Sequence, residues 1–193
     1  MSADEQAILD YVNADNWAVL YRCRWSTPDA ERVVPQLAKL LESGNSQITQ
    51  EALRALFRVG TPAALAAPYV AMLIRSHEPM TKHLAVLTLG QIAHQNPDLC
   101  VELLASTLND PTCCRDALRA LAFIGTQAIR ALDRVKPLFS DSDAKLRKAA
   151  VETAAAINVT DPEIRELLRH ASADRSKIVR EAADKCLQAA KIG

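Results

Sequence analysis

Cys113 and Cys114 stand side by side in DPTCCRDALRALAFIG, residues 110–125. Adjacent thiols could hold a soft metal, exchange with a disulfide or anchor a covalent group. A metal needs further ligands, and neither a CxxC nor a neighbouring histidine supplies them. On a helix the two side chains would diverge by about 100°, which is poor geometry for gripping one ion. The four histidines, His77, His83, His94 and His170, are scattered and show no HExxH or other ligand spacing. No serine sits in a nucleophile elbow, and no glycine-rich loop could cradle phosphate. Glu163 and Glu166 suit the first turns of a helix, where carboxylates favour its dipole. These residues predict no catalytic set, no metal site and no cofactor.

The composition explains where such side chains must sit. Of 193 residues, 49% are hydrophobic but only 4% aromatic, and there are five glycines. Alanine and leucine dominate, and both lose little entropy in a helix. No apolar run reaches the roughly 18 residues that span a bilayer. The acidic start, MSADEQAILDYVNADNW, lacks the basic and apolar regions of a secretory signal. Five cysteines are too few and odd in number for a disulfide scaffold, so a reduced, cytoplasmic setting is expected. Lys plus Arg and Asp plus Glu number 23 each, which disfavours a nucleic-acid binder driven by overall charge. The charge is uneven, however. Residues 1–43 carry four basic and seven acidic side chains, and residues 111–193 carry fifteen and eleven.

Five segments superimpose: ITQEALRALFRVG from Ile48, TKHLAVLTLGQIA from Thr81, CCRDALRALAFIG from Cys113, LRKAAVETAAAIN from Leu146 and VREAADKCLQAAK from Val179. Their starts differ by 33, 32, 33 and 33 residues. In each thirteen-residue segment, positions 1, 5, 8, 9 and 12 share one side of a helix and are mostly small or aliphatic. Position 13 offers Gly60, Gly125 and Asn158 as helix stops. A first helix precedes each segment. Thr61–Pro62, Asn96–Pro97 and Asp161–Pro162 read as caps followed by a first-turn proline. Pro35 and Pro68 each begin or kink the regular helix. Three residues before each segment stand Asn45, Glu78, Asp110, Asp143 and Ser176, four of them good N-caps. With no alternating strand pattern, the expectation is an array of helical hairpins.

These segments resemble HEAT repeats of the short bacterial type also found in phycobilisome lyase subunits. LRKAAVETAAAIN follows that family's V-R-x-A-A-x-x-A-L-G-x-I-G form almost throughout, and VREAADKCLQAAK follows its first half. Ankyrin and tetratricopeptide repeats have similar periods but fit less well. The resemblance implies an all-α, right-handed α-solenoid of stacked antiparallel helical hairpins, armadillo-like in type. Its five repeats would run 28–60, 61–93, 94–125, 126–158 and 159–193 as one continuous domain. Residues 1–27 would form an irregular cap carrying Tyr11, Trp17, Tyr21 and Trp25. The family usually places arginine at position 2, tied to an acid in the preceding turn or neighbouring repeat. Here that column reads Thr49, Lys82, Cys114, Arg147 and Arg180, with Asp141, Asp143 and Asp174 as partners for the last two. Cys113 then falls at a buried position 1, and Cys114 marks a break in the arginine column.

Positions 3, 7 and 10 should line the concave side. They include Arg54, Phe57, His83, Leu87, Arg115, Arg119, Lys148, Glu152 and Lys185, a groove basic at its middle with apolar interruptions. Phe57 and Leu87 have no structural duty in the repeat. The leading expectation is a non-catalytic protein-interaction module, an adaptor, assembly factor or inhibitor-like partner. It would grip an acidic or amphipathic segment of a protein partner, with no membrane attachment. Two alternatives follow from resemblance. One is a bilin-lyase-like enzyme subunit. The other is a nucleic-acid-backbone binder like the HEAT-like DNA glycosylases, using Arg54, Arg115, Arg119 and Lys148.

Overall fold

The computed structural model describes residues 27–93 and 97–190, with side chains from Arg32 onward. The cap expected over residues 1–27, with Trp17 and Trp25, lies outside these residues except for Thr27. Regular structure among the described residues is entirely helical. The chain falls into two compact units, Met1–Asn96 and Pro97–Gly193.

The first unit contains α1 (Thr27–Leu40), α2 (Ser46–Val59), α3 (Ala67–Leu73) and α4 (Pro79–Ile92). In it α1 packs on α2 and α3 on α4, while α2 and α4, the second helices of their pairs, lie side by side. The second unit contains α5 (Pro97–Ser106), α6 (Cys114–Ile124), α7 (Leu132–Val135), α8 (Ala144–Asn158), α9 (Pro162–Ala171) and α10 (Lys177–Ala189). There α6, α8 and α10 stack in order, with α5 against α6 and α9 against α10.

Local chemistry sets the helix ends. Asn45 Oδ1 accepts the N–H groups of Gln47 at 2.9 Å and Ile48 at 3.2 Å, starting α2. Asp143 accepts from the Lys145 N–H, and Asp161 from those of Glu163 and Ile164, at the starts of α8 and α9. Gly60 and Gly125 close α2 and α6 at φ 73° and 68°. A Cβ at either would meet only ordinary contacts, so the backbone angle is what demands glycine there.

Other ends differ from expectation. Thr61 does not cap. It opens a 3-10 stretch, Thr61–Ala66, and the α-helix begins only at Ala67, one residue before Pro68. Pro35 lies inside α1. Ser176 makes no side-chain cap bond, nor does Glu78, the one of the five not expected to cap. Asp110 Oδ1 instead accepts from Thr112 N–H, one turn before α6. That displacement shortens α6 so that Cys113 becomes its N-cap residue. Asn158 is still helical, and Val159 follows at an ordinary φ of −68°. The first helix of the fourth pair is mostly 3-10, over Gly125–Ala131 and Lys136–Ser140.

The core of each unit draws on both helices of each pair, with Leu37, Val70, Leu104 and Leu168 from the first helices, and most regularly on the second helices. Ala52, Ala85, Ala117, Ala150 and Ala183 at position 5 are fully buried, which lets the neighbouring helices approach closely. The buried arc is wider than positions 1, 5, 8, 9 and 12. Leu53, Val86, Leu118 and Val151 at position 6 are also fully buried, because each second helix packs both on its own first helix and on its stacked neighbour. Each such side chain contributes roughly 1.5–3 kcal/mol relative to exposure. Ile48 and Leu146 at position 1, and Ile124 at position 12, are only half-buried.

Candidate protein-interaction site

The position 2 column turns inward. Thr49, Cys114 and Arg147 are all buried, Arg147 at 4% exposure. Its guanidinium reaches Asp174 with Nε and Nη2, both at 2.8 Å. Nη1 donates to the carbonyls of Asp141 at 2.8 Å and Ser142 at 3.1 Å. Arg180 repeats the second half of this pattern, donating to the carbonyls of Asp174 and Arg175. Asp174 is thus the expected acidic partner of Arg147. Asp141 contributes its backbone rather than its carboxylate, and Asp143 caps α8. These bonds hold the loops before α8 and α10.

The paired cysteines belong to the same interior. Cys113 is buried beside the Thr107 carbonyl, as position 1 requires. Cys114 is buried too, and burial pushes its thiol up to about 11, helped by the nearby Asp141 carboxylate. Burial does the same to Cys100. Both are protonated at neutral pH and are poor nucleophiles. Among the described residues, no three His, Cys, Asp or Glu side chains converge as a metal set.

The exposed side of the second helices is different in each unit. In the first unit, Arg54, Phe57 and Leu87 come together with Arg58, Leu84 and Thr88 around a hollow of about 430 Å³ between α2 and α4. Phe57 is 38% exposed. Arg54 Nη1 is held by Glu51 at 2.7 Å. His83 is half-buried on α4 and does not line this hollow.

In the second unit, Arg115, Arg119, Lys148 and Glu152 surround a hollow of about 370 Å³ between α6 and α8. Its floor is Ala122, Ala149 and Thr153, and Ile178 at the start of α10 closes one end. Glu152 and Lys185 also border an adjoining hollow with Ala155, Ala182 and Cys186. Arg115 faces Asp143 at 3.8 Å, and Lys148 faces Glu152 at 3.5 Å.

Several lining groups lie outside the expected columns, Arg58 and Ala149 among them. Lys145 and Ile178 occupy the same repeat column, one place before position 1, and exposed Met80 stands there in the first unit. Leu84 occupies position 4. An exposed or half-exposed apolar residue in a column filled elsewhere by polar residues was the available signal.

No family model and no curated protein matches the chain. Solved structures do. A designed armadillo repeat protein in complex with the peptide (KR)4 is similar at a TM-score of 0.70 and 18% identity, over 97% of this chain and 95% of that one. The complex of CpcE and CpcF of phycocyanin lyase from Nostoc sp. PCC7120 gives 0.60 and 21%, over 81% and 98%. The archaeal HEAT-like repeats protein from Thermococcus onnurineus NA1 gives 0.61 and 15%, over 88% and 76%. All three are under 25% identical to this chain, and the likeness they share with it is one of fold: the all-α solenoid of HEAT and armadillo repeats.

Proposed function

We propose that this chain is a non-catalytic protein-interaction module that holds a segment of a partner against the exposed sides of its second helices. The carrying observation is the first unit's hollow, where Phe57, Leu84 and Leu87 present apolar surface that the repeat does not use for its own core. Arg54 and Arg58 flank it and would orient an amphipathic segment. The armadillo neighbour that carries a peptide, and the neighbour that is itself a two-protein complex, support the same reading.

Affinity purification of the full chain from its native cell, with mass spectrometry, tests this. A specific partner should be recovered with the wild-type protein. Phe57→Ser, with an unchanged melting midpoint, should reduce that recovery about tenfold, a loss of about 1.4 kcal/mol in binding. Equal recovery by the variant overturns this site.

A second reading, a subunit of a tetrapyrrole lyase, draws on the likeness to the phycocyanin lyase chains. Co-expression with a tetrapyrrole pathway should then give coloured protein, and a colourless product removes it.

A further inference from the structure

We infer that the hollow between α6 and α8 receives an acidic segment of the partner protein, one that presents at least two carboxylates to Arg119 and Lys145. This rests on the interaction reading above and specifies the partner's chemistry.

Arg115 and Arg119 lie one turn apart on α6, and Lys145 and Lys148 one turn apart on α8, so two cationic rows face each other across an alanine floor. Arg115 and Lys148 have acidic neighbours within the protein. Those pairs are about half exposed, with separations of 3.8 and 3.5 Å, and surface pairs of this kind are weak. Arg119 and Lys145 are exposed, and neither side chain makes an ion pair or hydrogen bond among the described residues.

Two unneutralised cations over a concave floor favour anions, and guanidinium matches a carboxylate with two parallel bonds. The alanine floor allows a polypeptide backbone to come close. Ile178, 40% exposed at the end of the hollow, adds an apolar contact that a peptide side chain can cover and a nucleic-acid backbone cannot. The charge is opposite to what the Lys-Arg peptide of the armadillo neighbour would need.

The experiment measures fluorescence anisotropy of a labelled hexaglutamate peptide against the full chain, with hexaglutamine and a short DNA duplex as competing probes. Hexaglutamate should bind and weaken steeply with salt, and hexaglutamine should not bind. Arg119→Glu with Lys145→Glu should weaken hexaglutamate at least tenfold, whereas Arg119→Lys with Lys145→Arg should retain it within about threefold. Lys39→Glu with Arg169→Glu changes net charge equally at other exposed sites and should stay within about twofold. Equal loss in both charge-reversed proteins, no binding of hexaglutamate, or tighter binding of the duplex overturns the inference. In the purification experiment, a partner lost with Phe57→Ser but kept by Arg119→Glu with Lys145→Glu would leave the interaction reading standing and remove the acidic occupant.

Discussion

At the scale of single residues, Arg147 and Asp174 show how a charged pair survives inside the fold. The guanidinium fills its donors with a carboxylate and two carbonyls, so neither charge is buried without partners. The Arg147 bonds, and then the Ser176 N–H, hold the Asp174 carboxyl below its ordinary 3.8. A carboxylate held low in the folded state stabilises it fully above the unfolded pKa, and that contribution is lost as pH falls through the lowered value. Asp174→Asn should therefore lower the melting midpoint clearly at pH 7 and by progressively less as the pH falls below the ordinary 3.8. Circular-dichroism melts across that range check this, and a gap that does not change with pH refutes it. The partnership was legible through the resemblance to HEAT repeats, which implies an acid for the position 2 arginine and left Asp141, Asp143 and Asp174 as its partners. The burial of Cys114 was not. A column occupied by arginine suggests solvent, yet these arginines turn inward to bind loop carbonyls, and a cysteine there simply fills interior space.

At the scale of elements, hydroxyl groups link the second helices. Thr88 Oγ1 lies 2.7 Å from the Leu84 carbonyl of its own helix and 3.2 Å from the Leu53 carbonyl of the preceding one. Thr153 repeats this with Ala149 at 2.7 Å and Leu118 at 3.0 Å. Both threonines stand at position 8, and both neighbouring carbonyls belong to position 6, thirty-five residues earlier. Thr88→Val keeps the shape and removes a buried donor. It should cost about 1 kcal/mol in urea unfolding, and a change under about 0.3 kcal/mol would show the link to be incidental. The 33-residue period made the second helices readable, since their packing depends on a small-residue stripe that the sequence displays. The first helices were less readable. Whether a turn closes as 3-10 or α, as at Thr61–Ala66 and Gly125–Ala131, depends on how closely its neighbours crowd it, and single residues do not record that.

The whole molecule has two units, and within each unit each repeat contacts chiefly its neighbour, so stability there should be close to a sum of local terms. Thr88 and Thr153 lie in different units and share no bonding partner. The double variant Thr88→Val with Thr153→Val should lose the sum of the single losses to within about 0.5 kcal/mol. Coupling beyond that, read by urea titration, would mean the two links report to one another. The surface is also not uniform along the chain. First helices of the second unit carry an ionic ladder, Arg130 to Asp98, Arg134 to Glu102 and Lys136 to Glu163. The first unit instead exposes Leu65, Tyr69 and Met72 along an uncharged stretch from Thr61 to Ile74. The columns put Arg54, Phe57, Leu87, Arg115, Arg119 and Lys148 beside hollows but not His83, and the division into an apolar hollow and a basic one required the helix stacking to be seen.

The Arg147 fork also has a mechanical side. Asp174 lies in the loop between α9 and α10, so the guanidinium on α8 pins the last hairpin by its turn. A pull on the C-terminal end loads that pin in shear. Once the packing of α10 has given way, the turn can part from α8 only when both bonds to Asp174 have opened.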